Sequence, residues 1–128
     1  MSVRIVRLGS PRRPDEGLRI GTVRRPPRGV PKTQFASGDW YDLWYPVLAP
    51  SVETLQLGKH ADTPARWAAF ARKYRGEMNE PDASRTLDLL AAFSHRTHFS
   101  VGCYCENESR CHRSILRALL EERGARVI

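Results

Sequence analysis

The sequence predicts a single α/β domain over residues 1–128, with a small, partly parallel sheet flanked by helices and a site at the C-terminal strand ends. Three observations predict it. Two short apolar-patterned runs, Val3–Leu8 and Leu18–Arg24, open the chain as strands. Three stretches with helical starts or apolar spacing follow them. A further apolar run, Phe99–Cys103, lies beyond those helices, so a helix-bearing crossover precedes the third strand and makes part of the sheet parallel.

Val3 and Ile5 alternate with Arg4, as in a half-exposed strand, before Gly9-Ser10-Pro11 stops the run. Arg12–Gly17 is a polar turn-forming loop. Leu18–Arg24 is the second strand, where Gly21 lets another backbone come close. Pro26, Pro27, Gly29 and Pro31 exclude helix and central strand from Arg24–Lys32, leaving an ordered basic loop that presents Arg24 and Arg28. Asp39–Pro46 gathers four of the eleven aromatic residues. Two readings stand for it: a hydrophobic cluster covering one sheet edge, or the aromatic wall of a ligand pocket.

Ser51 is placed as an N-cap, with Glu53 in the acidic first turn of a helix. Thr63-Pro64 is a stronger start, a hydroxyl cap followed by proline at the first helical position. Trp67, Phe70, Tyr74 and Met78 then form one apolar stripe, which is core. A third helix runs from Glu80-Pro81-Asp82 to about Ser94, with Leu87, Leu90, Ala91 and Phe93 inward. His95 and His98 at its end read as surface or capping histidines. After the Phe99–Cys103 strand comes a last helix, with Ile115, Leu116, Leu119 and Leu120 on its buried face and Gly124 at C′. Arg126–Ile128 is a candidate final strand.

The chain carries a net charge of +7, and its distribution is uneven. Residues 1–32 hold nine Arg or Lys against Asp15 and Glu16, while twelve bases and twelve acids cancel over residues 33–128. Such a local field attracts anions, from phosphate to nucleic acid, although no nucleic-acid-binding motif accompanies it. No run approaches the length that crosses a bilayer and no signal peptide opens the chain, so no membrane partner is expected. Three cysteines, an odd number, form no closed disulfide framework, so a reducing cytoplasm is expected.

All three cysteines fall within nine residues, in Cys103-Tyr104-Cys105-Glu106 and Cys111-His112-Arg113-Ser114, across a strand–loop–helix junction. Three readings compete. Cys103, Cys105, Cys111 and His112 are donors that suit tetrahedral zinc. Against that, Cys111 and His112 are neighbours that would point about 100° apart on a helix. A reactive thiolate is the second reading, since a helix N-terminus with Arg110, His112 and Arg113 nearby favours the charged form. In the third, the thiols are buried packing and Arg113 pairs with Glu106.

These residues, together with Val23-Arg24, Pro27-Arg28-Gly29, Ala49-Pro50-Ser51 and the Trp67, Phe70, Tyr74, Glu77 helix, resemble the domain of unknown function 488 family over nearly the whole chain. The resemblance implies a compact cytoplasmic α/β domain and a functional Cys-His-Arg turn. It names no reaction. The expected function is binding, with or without processing, of a small anionic ligand such as a nucleotide or phosphorylated metabolite. Arg24, Arg28 and Arg113 would hold the anion, with Glu106 and Ser114 alongside. Cys105 and Cys111 are the nucleophile candidates and His112 the acid–base candidate. No cofactor is expected, zinc being the alternative in a metal-stabilised or nucleic-acid-associated module. Parallel strands would bring the basic loop and the cysteine turn to one edge, within roughly 10 Å, one small-ligand width.

Overall fold

The computed structural model of the protein describes residues 1–128. Strand β4 (Phe99–Cys103) is buried along its whole length. It pairs in parallel with β1 (Val3–Arg7), Val3 opposite Phe99 and Arg7 opposite Cys103. On its other side it pairs in parallel with β2 (Leu18–Gly21), Leu18 also opposite Phe99 and Gly21 opposite Gly102. A two-residue strand β3 (Leu43–Trp44) joins the outer edge of β2, giving the order β1-β4-β2-β3. The sheet is therefore parallel throughout, where the sequence predicts only part of it so. The common register carries the C-terminal ends of β1, β4 and β2 to one edge. At the opposite margin, the candidate strand at Arg126–Ile128 is reduced to one bridge between Val3 and Val127.

The helices start where their caps predict. Helix α1 (Val52–Lys59) opens on Ser51, whose hydroxyl accepts the Thr54 N–H at 3.2 Å. Helix α2 (Pro64–Met78) opens on Thr63, which accepts the Arg66 N–H at 3.2 Å. Glu77 of α2 then accepts the Ser51 N–H at 3.0 Å and the Thr54 hydroxyl at 2.8 Å, tying α2 to the start of α1. Helices α3 (Pro81–Phe93) and α4 (His112–Glu122) complete the layer. Phe70, Tyr74 and Met78 from α2, Leu87 and Leu90 from α3, and Leu116 and Leu120 from α4 pack on Val3, Ile20, Phe99 and Val101 of the sheet.

Phe93 departs from its expected inward place and is 47% exposed. Ser94, one heptad beyond Leu87 and so on the same helical face, takes that place and donates to the Ala91 carbonyl at 2.6 Å. Gly124 ends α4 with φ of +82°, the left-handed conformation that glycine adopts without strain.

The face of the sheet away from this core holds a buried ion pair. The Arg19 side chain is 0% exposed and that of Glu16 is 2% exposed. Nε and Nη2 of Arg19 donate to the Glu16 carboxylate at 2.6 and 2.9 Å, and Nη1 donates to the carbonyls of Ser10 and Asp39 at 2.8 and 2.7 Å. The Ser100 hydroxyl, pointing down from β4, donates to Glu16 at 2.8 Å. The pair thus joins β2, β4 and the two loops that cover this face. Next to it, Gly21 makes room for the Tyr41 ring, on which any Cβ would collide; the close partner is a side chain rather than the expected backbone. No helix is long and apolar enough to cross a membrane.

Burial alone would raise the Glu16 carboxyl, but the hydrogen bonds from Arg19 and Ser100 and the Arg19 charge outweigh it and hold it below the usual value. A depressed carboxylate stabilises the fold above its unfolded pKa, and that contribution is lost as pH falls through the folded value. Glu16→Gln leaves Arg19 buried and unpaired, and should cost about 3–5 kcal/mol at pH 7. In urea denaturation the gap between wild type and variant should narrow as the pH drops through the glutamate range. A gap independent of pH would show that the charge on Glu16 is not what stabilises this face.

Candidate functional site

The chain leaves β1, β2 and β4 through loops that bend over the same sheet edge. Between them lies a cleft of about 1010 Å³. Five cationic residues, Arg7, Arg24, Arg25, Arg28 and Lys59, line it, and no carboxylate does. Trp40 and Tyr104 supply flat surface, and Cys103, Cys105 and His112 also contribute to the lining. A smaller cleft of about 420 Å³ shares Arg24, but Glu77, Glu80 and Asp82 line it and no cysteine or histidine does. The larger cleft is therefore the candidate site.

Its basic loop is pinned from three directions. Arg24 donates from Nε to the Pro50 carbonyl at 3.0 Å and from Nη2 to the Ala49 carbonyl at 3.1 Å. Trp44 Nε1 donates to the Val23 carbonyl at 2.8 Å, and the Tyr104 hydroxyl donates to the Arg25 carbonyl at 2.8 Å. Arg24 is thereby half-buried and held in a fixed direction, whereas Arg28 is exposed. The rings of Trp40 and Tyr104 meet edge to face with centroids 6.0 Å apart. The aromatic segment thus divides: Trp44 covers the sheet edge by joining it as β3, and Trp40 becomes part of the cleft wall.

Beside the cleft the cysteines cluster. All three are free thiols, and the sulfurs of Cys103 and Cys111 stand 2.6 Å apart in the buried interior. Cys111 is the extended N-cap of α4, with φ of −132° and ψ of 155°, rather than a helical residue. Cys111 and His112 are therefore not two helical neighbours pointing about 100° apart, and Cys111 Sγ lies 3.7 Å from His112 Nδ1, close enough to share an ion. The donor atoms of Cys103, Cys111 and His112 all fall within 4.8 Å of one another, a set that could hold a metal ion.

His112 is itself buried. Its Nε2 lies 2.9 Å from the Thr22 carbonyl. A carbonyl only accepts, so Nε2 carries the proton, and Nδ1 keeps its lone pair toward the sulfurs. The edge of the Tyr74 ring, with centroids 5.4 Å apart, fixes the imidazole plane. Burial lowers its pKa to about 4, so the ring is neutral at pH 7. Of the acid–base role expected of it, a neutral, enclosed imidazole suits the accepting half, and it equally suits a metal ligand.

Cys105 differs from its neighbours in being exposed. The neighbouring Cys103 and Cys111 thiols hold its own thiol well below the ordinary value, reinforced by the Arg113 charge. The Cys103 thiol is pushed up by the neighbouring thiols and by its burial.

The structure brings Arg24, Arg28, Cys105 and His112 to one cleft. Four other residues singled out from the sequence lie outside its lining. Cys111 is buried behind Cys103. Glu106 is exposed and faces Arg7 at 3.5 Å rather than Arg113. Arg113 is 3% exposed and donates through Nη2 to the Cys105 carbonyl, so it supports the turn instead of reaching for an anion. The Ser114 hydroxyl donates to the Cys111 carbonyl at 3.0 Å. Arg7, Arg25, Lys59 and Tyr104 are cleft residues that sequence reasoning missed. Arg7 and Tyr104 carried a signal, since each sits at the C-terminal end of a parallel strand; Lys59, at the far end of α1, carried none.

Exposure separates the thiols in a measurable way. In reduced, metal-free protein, iodoacetamide should modify Cys105 first and to about one equivalent, with Cys103 and Cys111 reacting only on unfolding. Peptide mapping by mass spectrometry checks this, and early labelling of Cys111 would contradict the placement.

Comparison with known proteins shows the family to which the chain belongs. A family model described as the active DUF488-N3 subclade matches residues 3–124. An uncharacterised protein of Mycobacterium bovis and one of Mycobacterium tuberculosis are each 29% identical over 121 residues, covering 94% of this chain and 95% of theirs. No solved structure matches. The expected cysteine turn, basic loop and central helix all fall inside the matched span, and the chain belongs to the domain of unknown function 488 family, in its N3a group.

Proposed function

We propose that the chain acts as one domain whose cleft binds a small anionic ligand of nucleotide size. The observation that carries this reading is the lining: five cations with no carboxylate around about 1010 Å³, close to the upper range of small-molecule sites. A cleft lined by one sign of charge concentrates ligands of the other. Guanidinium forks match phosphate and carboxylate oxygens in pairs, and Arg24 is already oriented by its two backbone bonds. Trp40 and Tyr104 offer ring surface to the uncharged part of a ligand such as a nucleobase. Cys105 is the thiol exposed beside such a ligand, so it is the residue through which any processing would run.

Titration calorimetry with adenosine monophosphate and with inorganic phosphate tests the reading. Saturable binding of the nucleotide is expected, weakening as salt rises. Arg28→Ala should weaken it roughly ten- to hundredfold, the scale of about 1.5–3 kcal/mol for a charged hydrogen bond, and should leave the fold intact because Arg28 is exposed. Trp40→Ala should weaken the nucleotide more than phosphate. Binding that neither variant alters would place the ligand elsewhere.

A further inference from the structure

We propose that Cys103, Cys111 and His112 form a zinc site, and that Cys105, whose sulfur lies outside that cluster in this structure, closes on the ion from the cleft side as the fourth donor. The site does not depend on the anion-binding reading, although an ion held by Cys105 would occupy the thiol which that reading leaves open for processing. The first argument is the donor set. Two thiols and an imidazole nitrogen converge within 4.8 Å in a buried pocket, and thiolate with imidazole is the ligand mixture that tetrahedral zinc selects. Two sulfurs each about 2.3 Å from a tetrahedral zinc stand roughly 3.8 Å apart, so the Cys103–Cys111 pair must open by only about 1 Å. Cys111 Sγ and His112 Nδ1, 3.7 Å apart, need almost no movement.

The second argument is independent of the sulfurs. Metal-binding histidines almost always donate their other ring N–H to a carbonyl or carboxylate, which sets the tautomer and the ring direction. His112 Nε2 does so to the Thr22 carbonyl at 2.9 Å, leaving Nδ1 as a lone pair aimed at the thiols. Thr22 is itself locked, its N–H and its hydroxyl both donating to the Gly102 carbonyl at 2.9 Å. The Tyr74 ring closes the remaining side. In the metal-free protein the Nδ1 lone pair accepts from the Cys111 thiol at 3.7 Å, the contact that the ion would replace.

The ion would join the end of β4 to the start of α4 and so close the loop between Cys103 and Cys111 at both ends. That loop is already clamped at its middle, where Arg117 donates to Glu108 from Nε and Nη2 at 2.8 and 3.0 Å. Binding releases the thiol protons to solvent as each sulfur takes up the metal.

Cobalt(II) is the probe, because tetrahedral thiolate coordination gives it intense visible bands and sulfur-to-metal charge-transfer absorption. Reduced, chelator-treated full-length protein should take up one equivalent with both signatures, and zinc should displace it. Cys105→Ser, at an exposed position, should still bind one equivalent but at least tenfold more weakly and with less charge-transfer intensity. Cys111→Ser, checked for folding by circular dichroism, should lose both signatures. If Cys111→Ser does not fold, nitrogen-15 shifts of wild-type His112 decide: zinc should move Nδ1 and leave Nε2–H bonded. Folded wild type with three free thiols and no cobalt bands, a spectrum unaltered by either variant, or an unmoved Nδ1 would each overturn the proposal. Cobalt binding by a protein that takes up no nucleotide would leave the zinc site standing and remove only the anion reading.

Discussion

Everything at the site follows from the position of β4. A strand that is buried on both faces and paired on both edges must supply its own register to its neighbours, and β4 does so for β1 and β2 with the same residue, Phe99, at the start of each ladder. Parallel pairing then brings three C-terminal ends together. The loop after each is free of the hydrogen-bonding ladder and is left to cover one edge of the sheet. The basic loop after β2 and the cysteine loop after β4 are more than seventy residues apart in sequence, yet they are adjacent because their strands are. A register slip of one residue in β4 would turn Ser100 into the helical core and Val101 toward Glu16, so the pairing is strongly specified.

The two faces of the sheet are closed by different physics. Helices α2, α3 and α4 close one with apolar contact, which is tolerant of small shifts. The other is closed by Arg19 and Glu16, whose bonds are directional and whose burial is costly unless every donor is satisfied. Arg19 bonds to Ser10 and Asp39 as well as Glu16, so the loops on that side are fixed relative to β2 by charge. The same loops contribute Gly9, Ser10 and Trp40 to the cleft wall. Stability on one face and ligand geometry at the edge therefore share a single buried network. Part of the N-terminal positive charge belongs to that network, and the part left facing solvent is concentrated at the cleft.

Caps, apolar stripes and the burial of the last strand were legible because each rests on local spacing: Ser51, Thr63 and Gly124 punctuate helices wherever they stand. The α/β class and the convergence of Arg24 and Arg28 with Cys105 followed from that spacing and from the parallel crossover. What was not legible depended on partners distant in sequence. An arginine between apolar residues reads as exposed, and only Glu16 and Ser100 show why Arg19 is buried. Arg113 has the same ambiguity, resolved by the carbonyl of Cys105. β3 is too short to carry a pattern of its own. The geometry of Cys111 turned on a single residue, whether the helix begins at it or after it, and that difference decides whether its sulfur and the His112 nitrogen can share a partner.

The central claim is that the loops after β2 and β4 form one ligand site. Amide chemical-shift mapping during titration with adenosine monophosphate tests it most directly, because every loop reports separately in one experiment. The account predicts saturable shifts concentrated at residues 23–28 and 103–112, moving together with a single dissociation constant, and little change along α2 and α3. Shifts confined to one of the two loops, or centred on the acidic cleft around Glu77, Glu80 and Asp82, would contradict it.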